Sequence, residues 1–345
     1  MKIFEKAINH FQSNLPFVLY VKPNEDILKG LFQQDDSLHT FANQEGFVFA
    51  SFDGEKQIVI TKENSESFSE KIQWEEDYTI ASLKISSTVE QKNAFESLVK
   101  KSVEVIKQTE FDKLVVSRKI DFSNQIDVFQ SYKNLVKKYP SAFCYLFFHP
   151  KIGMWMGATP EQLIKINGNQ FETVALAGTQ LFSDDLNWTQ KEVLEQQFVT
   201  DFIVSNIKPF VSEIEVSKPF TIQAGKLAHI KTEISGKLLN VSKAVDLITT
   251  LHPTPAVCGL PKEKAKHFIT TNEGYNRKFY AGYIGEWNIE NKVDLFVNLR
   301  CIEIGESNSI YVGCGITKDS VAEKEFFETE NKSETIKQIL IERNR

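Results

Sequence analysis

The segment Ile310–Lys332, IYVGCGITKDSVAEKEFFETENK, contains the strand-to-helix arrangement from which the rest of this chain can be interpreted. Its first part, Ile310–Ile316, is rich in Ile, Val and Tyr and predicts a strand that carries two glycines. A helix is predicted to follow, with Glu325, Glu328 and Lys332 at positions i, i+3 and i+7 of one face. The same face becomes apolar further along. Two carboxylates and an ammonium group beside a buried stripe suggest a place where a divalent cation and an anion meet.

A second predicted helix repeats this pattern. In TQKEVLEQQFVTDFIVSNI, residues 189–207, Glu192 and Glu195 stand at i and i+3, and Glu195 borders the apolar stripe. Two helices that each offer such an edge can clamp one hard cation through oxygen atoms. Mg²⁺ suits this arrangement because it accepts few carboxylates and keeps water or substrate oxygens. The alternative is that both pairs lie on solvated helix faces, and helical spacing taken by itself favours that alternative.

Composition excludes several classes of protein. The chain has 345 residues with a formal net charge of -6 and 41% hydrophobic residues, which is ordinary for a globular protein. No apolar run reaches the length of a membrane span. No Lys/Arg-rich run occurs either, so the sequence gives no reason to expect nucleic-acid binding. The N-terminus predicts an amphipathic helix without the apolar region of a signal peptide. The four cysteines form no CxxC pair, so we expect buried, reduced thiols in a cytoplasmic protein.

Strand-like and helix-like runs occur in clusters rather than in strict alternation, and this favours an α+β fold with large antiparallel sheets. A capping box is predicted at Ser87 and Glu90, and the polar residues 62–76 are predicted to form a loop or a weakly ordered connection. Helices are predicted at about 3–13, 89–108, 127–139, 189–207, 242–251, 261–271 and 319–341. Strands are predicted at 17–22, 46–52, 113–122, 142–149, 171–176, 294–304 and 310–316.

Three single residues are candidates for chemistry. Lys113 begins the strand KLVVSRKIDF, where a buried lysine could serve as general base, although a lysine at a strand start usually reaches solvent. Glu161 in GATPEQL could be a general acid if it is desolvated, and is otherwise a turn residue. Arg300 stands mid-strand in LFVNLRCIEI, where its planar fork suits a substrate carboxylate, with an internal ion pair as the alternative.

Two turn-forming segments complete the set of candidates. They are LAGT, Leu176–Thr179, and LHPTPAVCGLPK, Leu251–Lys262, whose small residues could let backbone approach a ligand. His252 has no Asp or Ser partner at a readable spacing and is interpreted as structural, whereas His229 could line a site or pack in the core. Nucleotide binding and serine hydrolysis have no motif support, because GxGxxG, the P-loop and GxSxG do not occur.

Nine blocks in their order resemble the chorismate-utilising enzymes, and within them the isochorismate synthase branch. The blocks are FDKLVVSR, GATPEQL, ALAGT, KEVLEQQFV, LHPTPAVCGLPK, YAGYIGEW, VNLRCIE, GCGIT and EKEFFETENK. The resemblance covers residues 90–345, whereas residues 1–85 form a variable N-terminal part. It implies a single α+β domain over residues 1–345, with two large antiparallel β-sheets packed face to face and helices on the outside.

The resemblance also implies a reaction. Lys113 would be the general base that activates water for attack at C2 of chorismate, and Glu161 the general acid that protonates the departing C4 hydroxyl. The net result would be a Mg²⁺-dependent isomerisation of chorismate to isochorismate. A salicylate synthase, which goes on to release pyruvate, and a non-catalytic chorismate-binding protein remain alternatives.

Binding roles follow from the same resemblance. Glu195 and Glu328 would hold Mg²⁺, and Glu192 and Glu325 would support it through water. The residues implied to bind the substrate are Gly178, His229, Ala256, Arg300, Gly313 and Lys332. The presence of Lys113 at the base position resembles the branch of the family that uses water rather than ammonia, so no amidotransferase subunit is expected. The chain is also expected to be a monomer. Whether the product would feed menaquinone or siderophore synthesis stays open.

Overall fold

The computed structural model describes residues 1–73, 83–108, 111–224 and 227–343. Every predicted helix is present, with ends that differ from the prediction by a few residues. The helices are α1 (Lys2–Gln12), α2 (Val89–Gln108), α3 (Val128–Lys138), α4 (Gln190–Ile207), α5 (Ala244–Leu251), α6 (Lys262–Asn272) and α7 (Ala322–Lys337). Short 3₁₀ turns at Lys208–Phe210 and Val241–Lys243 follow α4 and precede α5.

The first sheet contains nine antiparallel strands within the described residues. In spatial order they are β14 (Gly259–Leu260), β6 (Lys113–Phe122), β18 (Asn308–Ile316), β17 (Cys301–Ile304), β8 (Gly153–Thr159), β7 (Phe143–His149), β1 (Phe17–Val21), β2 (Ile27–Gln33) and β5 (Ser65–Lys71). The opening segment of the sequence therefore supplies β18, which pairs with β6 along its whole length.

The second sheet is also antiparallel. Its strands in spatial order are β11 (Val211–Val216), β13 (Leu227–Leu238), β10 (Gln170–Leu181), β9 (Gln162–Asn167), β16 (Lys292–Val297), β15 (Tyr283–Ile289), β3 (Gly46–Ala50) and β4 (Gln57–Thr61). A further strand, β12 (Phe220–Ala224), pairs with β13. The predicted fold class, α+β with two large antiparallel sheets, is confirmed.

Aromatic residues join the two sheets face to face. Phe143 of the first sheet stacks on Phe296 of the second, with ring centroids 4.4 Å apart. Phe49 of the second sheet lies 4.8 Å from Phe147 of the first, measured between ring centroids. These rings belong to the larger of two hydrophobic clusters. The inner faces of both sheets thus form one core.

The outer face of the first sheet is buried as well. Along β7, Phe143 and Phe147 face the second sheet, while Leu146 between them belongs to a second hydrophobic cluster. That cluster contains Ile3 of α1 and Leu135 of α3. Strands buried on both faces have continuous apolar sequences, which is why β7 reads FCYLFFH without alternation.

Two local predictions for residues 62–90 are wrong. Residues 65–71, expected in a loop, form β5, because the chain pairs with β2 at the edge of the first sheet despite its polar sequence SESFSEK. The capping box of α2 is one residue further along than predicted. Thr88 and Gln91 exchange the two backbone-to-side-chain hydrogen bonds, while Ser87 bonds to Glu330 of α7. The part of the predicted loop at 74–76 lies outside the described residues.

Two other expectations, for the cysteines and for His252, are confirmed. The four cysteines are buried and free of disulfides. His252 has the structural role that was expected, since its Nε2 lies within hydrogen-bond distance, 3.1 Å, of the carbonyl oxygen of Ser51. Over the described ranges, no helix combines the length and apolar character needed to cross a membrane.

Candidate active site

Two of the places where the chain passes from one sheet to the other lie side by side. Glu161 lies where the chain passes from β8 in the first sheet to β9 in the second, and Arg300 lies where it returns from β16 to β17. The crossings are hydrogen-bonded to each other's strands: Val297 N–H donates to Glu161 O at 2.9 Å, and Ala158 N–H donates to Arg300 O at 3.1 Å. This seam between the sheets therefore brings an acidic and a basic side chain to the same place.

A cleft opens at this seam and encloses about 740 Å³ of space, part of which is open solvent. Residues from both sheets, from α4 and from α7 line it. The predicted site residues among them are Glu161, Gly178, Glu195, His229, Ala256, Arg300, Gly313, Glu328 and Lys332. Residues that are far apart in sequence and were proposed separately thus meet in one cavity.

Glu161 is a buried carboxyl group. Removal from water raises its pKa to about 7, although the positive charges of Lys113, Lys332 and Arg300 act in the opposite direction. Desolvation is the larger effect because it penalises the charged form of the carboxyl group directly. A carboxyl group with this pKa is partly protonated near neutral pH and can donate a proton. The interpretation of Glu161 as an exposed turn residue is excluded by its burial.

Lys113 is fully buried at the start of β6, so it does not reach solvent. Its Nζ lies 2.8 Å from Glu195 Oε1, and this ion pair joins β6 to α4. Gly315 on the neighbouring strand leaves room for the lysine stem, because a Cβ there would lie only 3.0 Å from Lys113 Cε. Lys113 is therefore held just behind the cleft wall formed by Gly315 and Glu195.

Arg300 does not lie mid-strand, as the continuous sequence LFVNLRCIEI suggested. The strand is interrupted after Val297 and resumes at Cys301, and Arg300 has a left-handed backbone with φ 48°. Its Nη1 donates to Thr335 Oγ1 at 3.0 Å. Burial lowers the pKa of its guanidinium. Within the described residues Arg300 has no carboxylate ion-pair partner, and the internal ion pair considered as an alternative is thus not observed there.

The charged face of α7 meets the glycine-rich strand β18. Lys332 Nζ donates to Gly313 O at 3.0 Å and to Glu328 Oε1 at 2.7 Å. Glu325 is only 3% exposed and lies outside the set of cleft-lining residues. Because Glu325 is buried and Lys332 is tied to the strand, the solvated-face interpretation is wrong for this helix.

The carboxylates of α4 have different surroundings. Glu195 faces Lys113 in the cleft wall. The Glu192 side chain accepts a hydrogen bond from Thr189 N–H at 3.0 Å and another from the Thr189 hydroxyl. The Thr189 side chain in turn accepts from the Glu192 backbone N–H, which completes a capping box at the start of the helix. One oxygen of Glu192 is thus used to begin α4, in agreement with the preference for such pairs at helix N-termini.

A β-bulge shapes the opposite wall. The pairing of β10 with β13 shifts register between Ala177 and Gln180, and Gly178 adopts φ 71° there. Its carbonyl oxygen accepts a hydrogen bond from His229 Nδ1 at 3.0 Å. Burial and the charge of Arg300 lower the pKa of His229 to about 4. The imidazole is therefore neutral at physiological pH, with Nδ1 carrying the proton.

The structure adds two tyrosines that were not among the sequence candidates. Tyr280 and Tyr311 line the cleft and stack with ring centroids 5.5 Å apart. The Tyr280 hydroxyl is 2.8 Å from the position that a Cβ on Gly313 would occupy. Tyr280 stands in the block YAGYIGEW and Tyr311 in the opening segment, yet a tyrosine within an apolar run has the pattern of a core residue.

Comparison with known proteins assigns the family. A family described as "Chorismate binding enzyme" matches residues 47–341. The chain belongs to the chorismate-binding enzymes. The family resemblance expected from the nine sequence blocks is thereby confirmed.

Curated relatives of this chorismate-binding enzyme include two kinds of synthase. Anthranilate synthase component 1 of Archaeoglobus fulgidus is 30% identical over 252 residues, which are 70% of this chain and 61% of that protein. Isochorismate synthase EntC of Escherichia coli K12 is 28% identical over 265 residues, which are 72% of this chain and 67% of that protein. The chain covers only 57% of the length of the anthranilate synthase component 1 of Methanothermobacter marburgensis.

Solved structures share the fold of this chorismate-binding enzyme. A structure from Bacillus anthracis, described as a putative 2,3-dihydroxybenzoate-specific isochorismate synthase, superposes with a TM-score of 0.80 at 24% identity and covers 97% of this chain and 98% of that one. Anthranilate synthase component I of Streptococcus pneumoniae superposes with a TM-score of 0.71 at 18% identity and covers 93% of this chain and 92% of that one. These similarities establish the architecture.

The oxygen donors of the cleft agree in kind with a Mg²⁺ site. Glu195 and Glu328 both line it, and Mg²⁺ is commonly held by one or two carboxylates together with water and substrate oxygens. In this structure one oxygen of each carboxylate faces a lysine ammonium, Lys113 for Glu195 and Lys332 for Glu328. No cluster of three or more His, Cys, Asp or Glu side chains suited to a metal occurs in the part of the chain that the structure describes.

Proposed function

We propose that this chain is a Mg²⁺-dependent isochorismate synthase, which converts chorismate to isochorismate. The observation that carries the proposal is that the buried Glu161 lines a cleft that also presents Arg300 and Lys332, while the buried Lys113 lies just behind the wall formed by Gly315 and Glu195. A base behind one wall and an acid on another can act on different carbons of one ring. Lys113 at the base position also resembles the branch of the family that uses water rather than ammonia.

The proposed reaction moves one hydroxyl group. The neutral amine of Lys113 takes a proton from water as the water oxygen bonds to C2 of chorismate. Both ring double bonds shift by one position and the C4–O bond breaks. Glu161 gives its proton to the departing hydroxyl, which leaves as water. One water enters and one leaves, so the change is a net isomerisation. The pKa of Glu161, about 7, supports its role because the carboxyl group must carry a proton before the reaction.

Cationic groups would bind the dianionic substrate. Arg300 at the seam and Lys332 on α7 are the basic side chains that line the cleft. A guanidinium suits a carboxylate because its planar fork can donate two parallel hydrogen bonds. The Tyr280 hydroxyl beside Gly313 would add a further donor at the same wall. The pocket would thus fix the ring between base and acid before the chemistry starts.

Glu195 and Glu328 would hold the Mg²⁺, and Glu192 and Glu325 would support it through water. When bound, the ion would neutralise a carboxylate of the substrate. In the present structure Glu195 faces Lys113, so Glu195 has to turn away from Lys113 before both residues can fill their roles.

The test is incubation of the purified protein with chorismate and Mg²⁺, followed by chromatographic analysis of the products. Isochorismate without pyruvate is expected. Stoichiometric pyruvate with salicylate would replace the proposal by a salicylate synthase, and anthranilate formed only with added ammonia would replace it by the aminating activity named for several relatives. Binding of chorismate without any product would indicate a non-catalytic chorismate-binding protein.

The metal assignment has its own test. Glu328→Ala should weaken Mg²⁺ binding, measured by calorimetry, and raise the Mg²⁺ concentration needed for half-maximal activity by about tenfold or more. Glu306→Ala is a matched control, because Glu306 is an exposed carboxylate in the turn between β17 and β18. An unchanged Mg²⁺ requirement in Glu328→Ala would remove Glu328 from the metal site.

A further inference from the structure

A buried ion pair lies behind the cleft wall, in residues that no step of the reaction uses. Glu273 follows the last residue of α6, and Arg277 stands four residues later, before β15. Their side chains are 0% and 2% exposed. Arg277 Nε donates to Glu273 Oε2 at 2.8 Å, and Arg277 Nη2 donates to Glu273 Oε1 at 2.5 Å. The guanidinium therefore holds the carboxylate with both arms of its fork.

The remaining donors of Arg277 go to main-chain oxygens on two different segments. Nη2 donates to Val115 O at 2.7 Å, and Nη1 donates to Val257 O at 2.8 Å. Val115 belongs to β6, and Val257 belongs to the connection between α5 and β14. Both residues line the cleft. One guanidinium thus ties two walls of the cavity together.

Glu273 makes a second connection to β6. The backbone N–H of Ser117 donates to Glu273 Oε1 at 2.7 Å, and the Ser117 hydroxyl lies 3.0 Å from the same carboxylate. The Ser117 hydroxyl also contacts the Tyr275 hydroxyl at 2.7 Å. All polar atoms of the pair are thereby directed at fixed partners.

The place of these contacts on β6 explains what they do. The short strand β14 pairs with β6 only at Lys113 and Leu114, and one more ladder bond follows from Val115 N–H to Cys258 O at 2.9 Å. Beyond that point no strand of the described residues lies beside this edge of β6, and Val115 O and Ser117 N–H continue along the same edge. The ion pair supplies the acceptor and donor that a neighbouring strand would otherwise provide.

Stability by itself is a weak reason for such a pair, because well-packed apolar residues often replace buried ion pairs at no cost in stability. Directed hydrogen bonds to two backbones are a different property, which apolar residues do not have. Lys113 stands two residues before Val115 on this strand, and Ala256 adjoins Val257. A change in the spacing of these two backbones would move the base and the facing wall relative to each other.

We propose that Glu273 and Arg277 are positioning residues, which hold the strand that carries Lys113 at a fixed distance from the Ala256–Val257 wall. The inference rests on the proposed function, since it assigns the pair to the alignment of the proposed base. Neither residue touches the cleft. Their effect would pass through the backbone of β6.

Arg277→Lys tests the inference. The lysine keeps the positive charge opposite Glu273, but one ammonium cannot reach the carboxylate and both carbonyl oxygens in the geometry of the guanidinium fork. We expect kcat for chorismate conversion to fall by about tenfold or more, with a change in KM below about threefold, because small misplacements of a reacting group reduce the rate steeply. Ser117→Ala removes only the hydroxyl contact to Glu273, so it should lower kcat by a smaller factor than Arg277→Lys does. It is the substitute test variant if Arg277→Lys does not fold.

A merely structural role would produce a different result. In the Lys113→Ala background the further loss caused by Arg277→Lys should shrink to below about twofold, since residues that act as a unit are not additive. Glu286→Gln is the matched control: it weakens another buried charged cluster, around Lys22 and Asp294, which does not line the cleft. It should lower the unfolding temperature and leave kcat unchanged.

The outcomes separate this inference from the proposed function. If the wild-type protein forms no isochorismate, the proposed function fails. If the wild-type protein is active and both Arg277→Lys and Ser117→Ala keep its kcat, only the positioning role fails. A loss in Arg277→Lys that is equally large in the Lys113→Ala background would also overturn it.

Discussion

At the scale of single residues, burial decides which candidates were correctly interpreted. Glu161 and Lys113 each had a plain alternative, a turn residue and an exposed lysine, and sequence statistics favoured both alternatives. The structure removes both groups from bulk water. Spacing in a sequence does not report the depth of a side chain, because depth depends on strands that are distant along the chain. For Glu161 the distant strand is β16, whose Val297 N–H donates to the Glu161 carbonyl oxygen.

The raised pKa of Glu161 leads to a prediction about stability and activity. The folded-state pKa, about 7, lies above the ordinary 4.5, so folding favours the protonated form. The stabilisation is complete below pH of about 4.5 and is lost as the pH rises through 7. Glu161→Gln has no such charge. Its unfolding temperature should therefore rise relative to that of the wild type between pH 5 and pH 8, while turnover falls about 10²-fold or more.

The measurement is thermal unfolding of both proteins at the two pH values, together with the rate of chorismate conversion. Glu55→Gln, at an exposed position, is the control and should show a constant difference from the wild type. Equal differences for Glu161→Gln at both pH values would contradict a buried carboxyl with a raised pKa.

At the scale of elements, the seven helices of the described residues were predicted, as for α2, where Phe95, Val99 and Ile106 recur along one buried face, whereas several strands were not. β5 has the sequence SESFSEK, which contains little of what favours a strand, and its pairing with β2 overrides that local preference. The break at Arg300 was also missed. The residues on both sides have strand-forming sequences, and the interruption follows from the passage of the chain between sheets.

The close approach of β18 to α4 makes Gly315 sensitive to substitution. A Cβ at Gly315 would lie 2.5 Å from Glu195 Oε1 and 3.0 Å from Lys113 Cε. Both are ends of flexible side chains, so the strand can stay in place while the ion pair is displaced. Gly315→Ala should therefore lower kcat by about tenfold or more and change the free energy of unfolding by about 1 kcal/mol or less.

Gly305→Ala is the matched control for this prediction. It lies at the turn between β17 and β18, and the nearest atom to its added Cβ would be 3.7 Å away. Steady-state kinetics and denaturant unfolding of both variants are the measurements. A wild-type kcat in Gly315→Ala would show that the Lys113–Glu195 geometry is not needed for turnover.

At the scale of the whole molecule, the stacked sheets set the stability. Phe49 is fully buried between them and contacts Phe279 of the same core with ring centroids 4.2 Å apart. Phe49→Ala should lower the free energy of unfolding by about 3–5 kcal/mol, because it leaves a cavity between the sheets. Leu239→Ala, at a side chain that is 64% exposed, should change it by less than about 0.5 kcal/mol. Denaturant titration measures both, and similar small losses would mean that the core is not continuous across the sheets.

The overall architecture was predicted mainly from the ordered set of nine blocks. Residue spacing within any single block favoured an interpretation without function, such as a solvated helix face or a turn residue. The N-terminal strands show the limit of that approach. β1 lies inside the first sheet and β3 near the end of the second. Their sequences show that they are strands, but the choice of partner depends on contacts with β7 and β15, which come more than a hundred residues later.

The seam between the sheets has a consequence for how the protein fluctuates. The amide hydrogens of Ala158 and Val297 are bonded across the two crossings that carry Arg300 and Glu161. Each bond joins neighbouring segments of one sheet, beside the β8–β17 and β16–β9 pairings, in the buried part of the molecule. We therefore expect their exchange to require an opening almost as costly as global unfolding. Amides of the edge strand β5 should exchange far sooner. In this protein the acid and the arginine would lose their arrangement only when the fold itself is lost, and exchange at Ala158 as fast as in β5 would show otherwise.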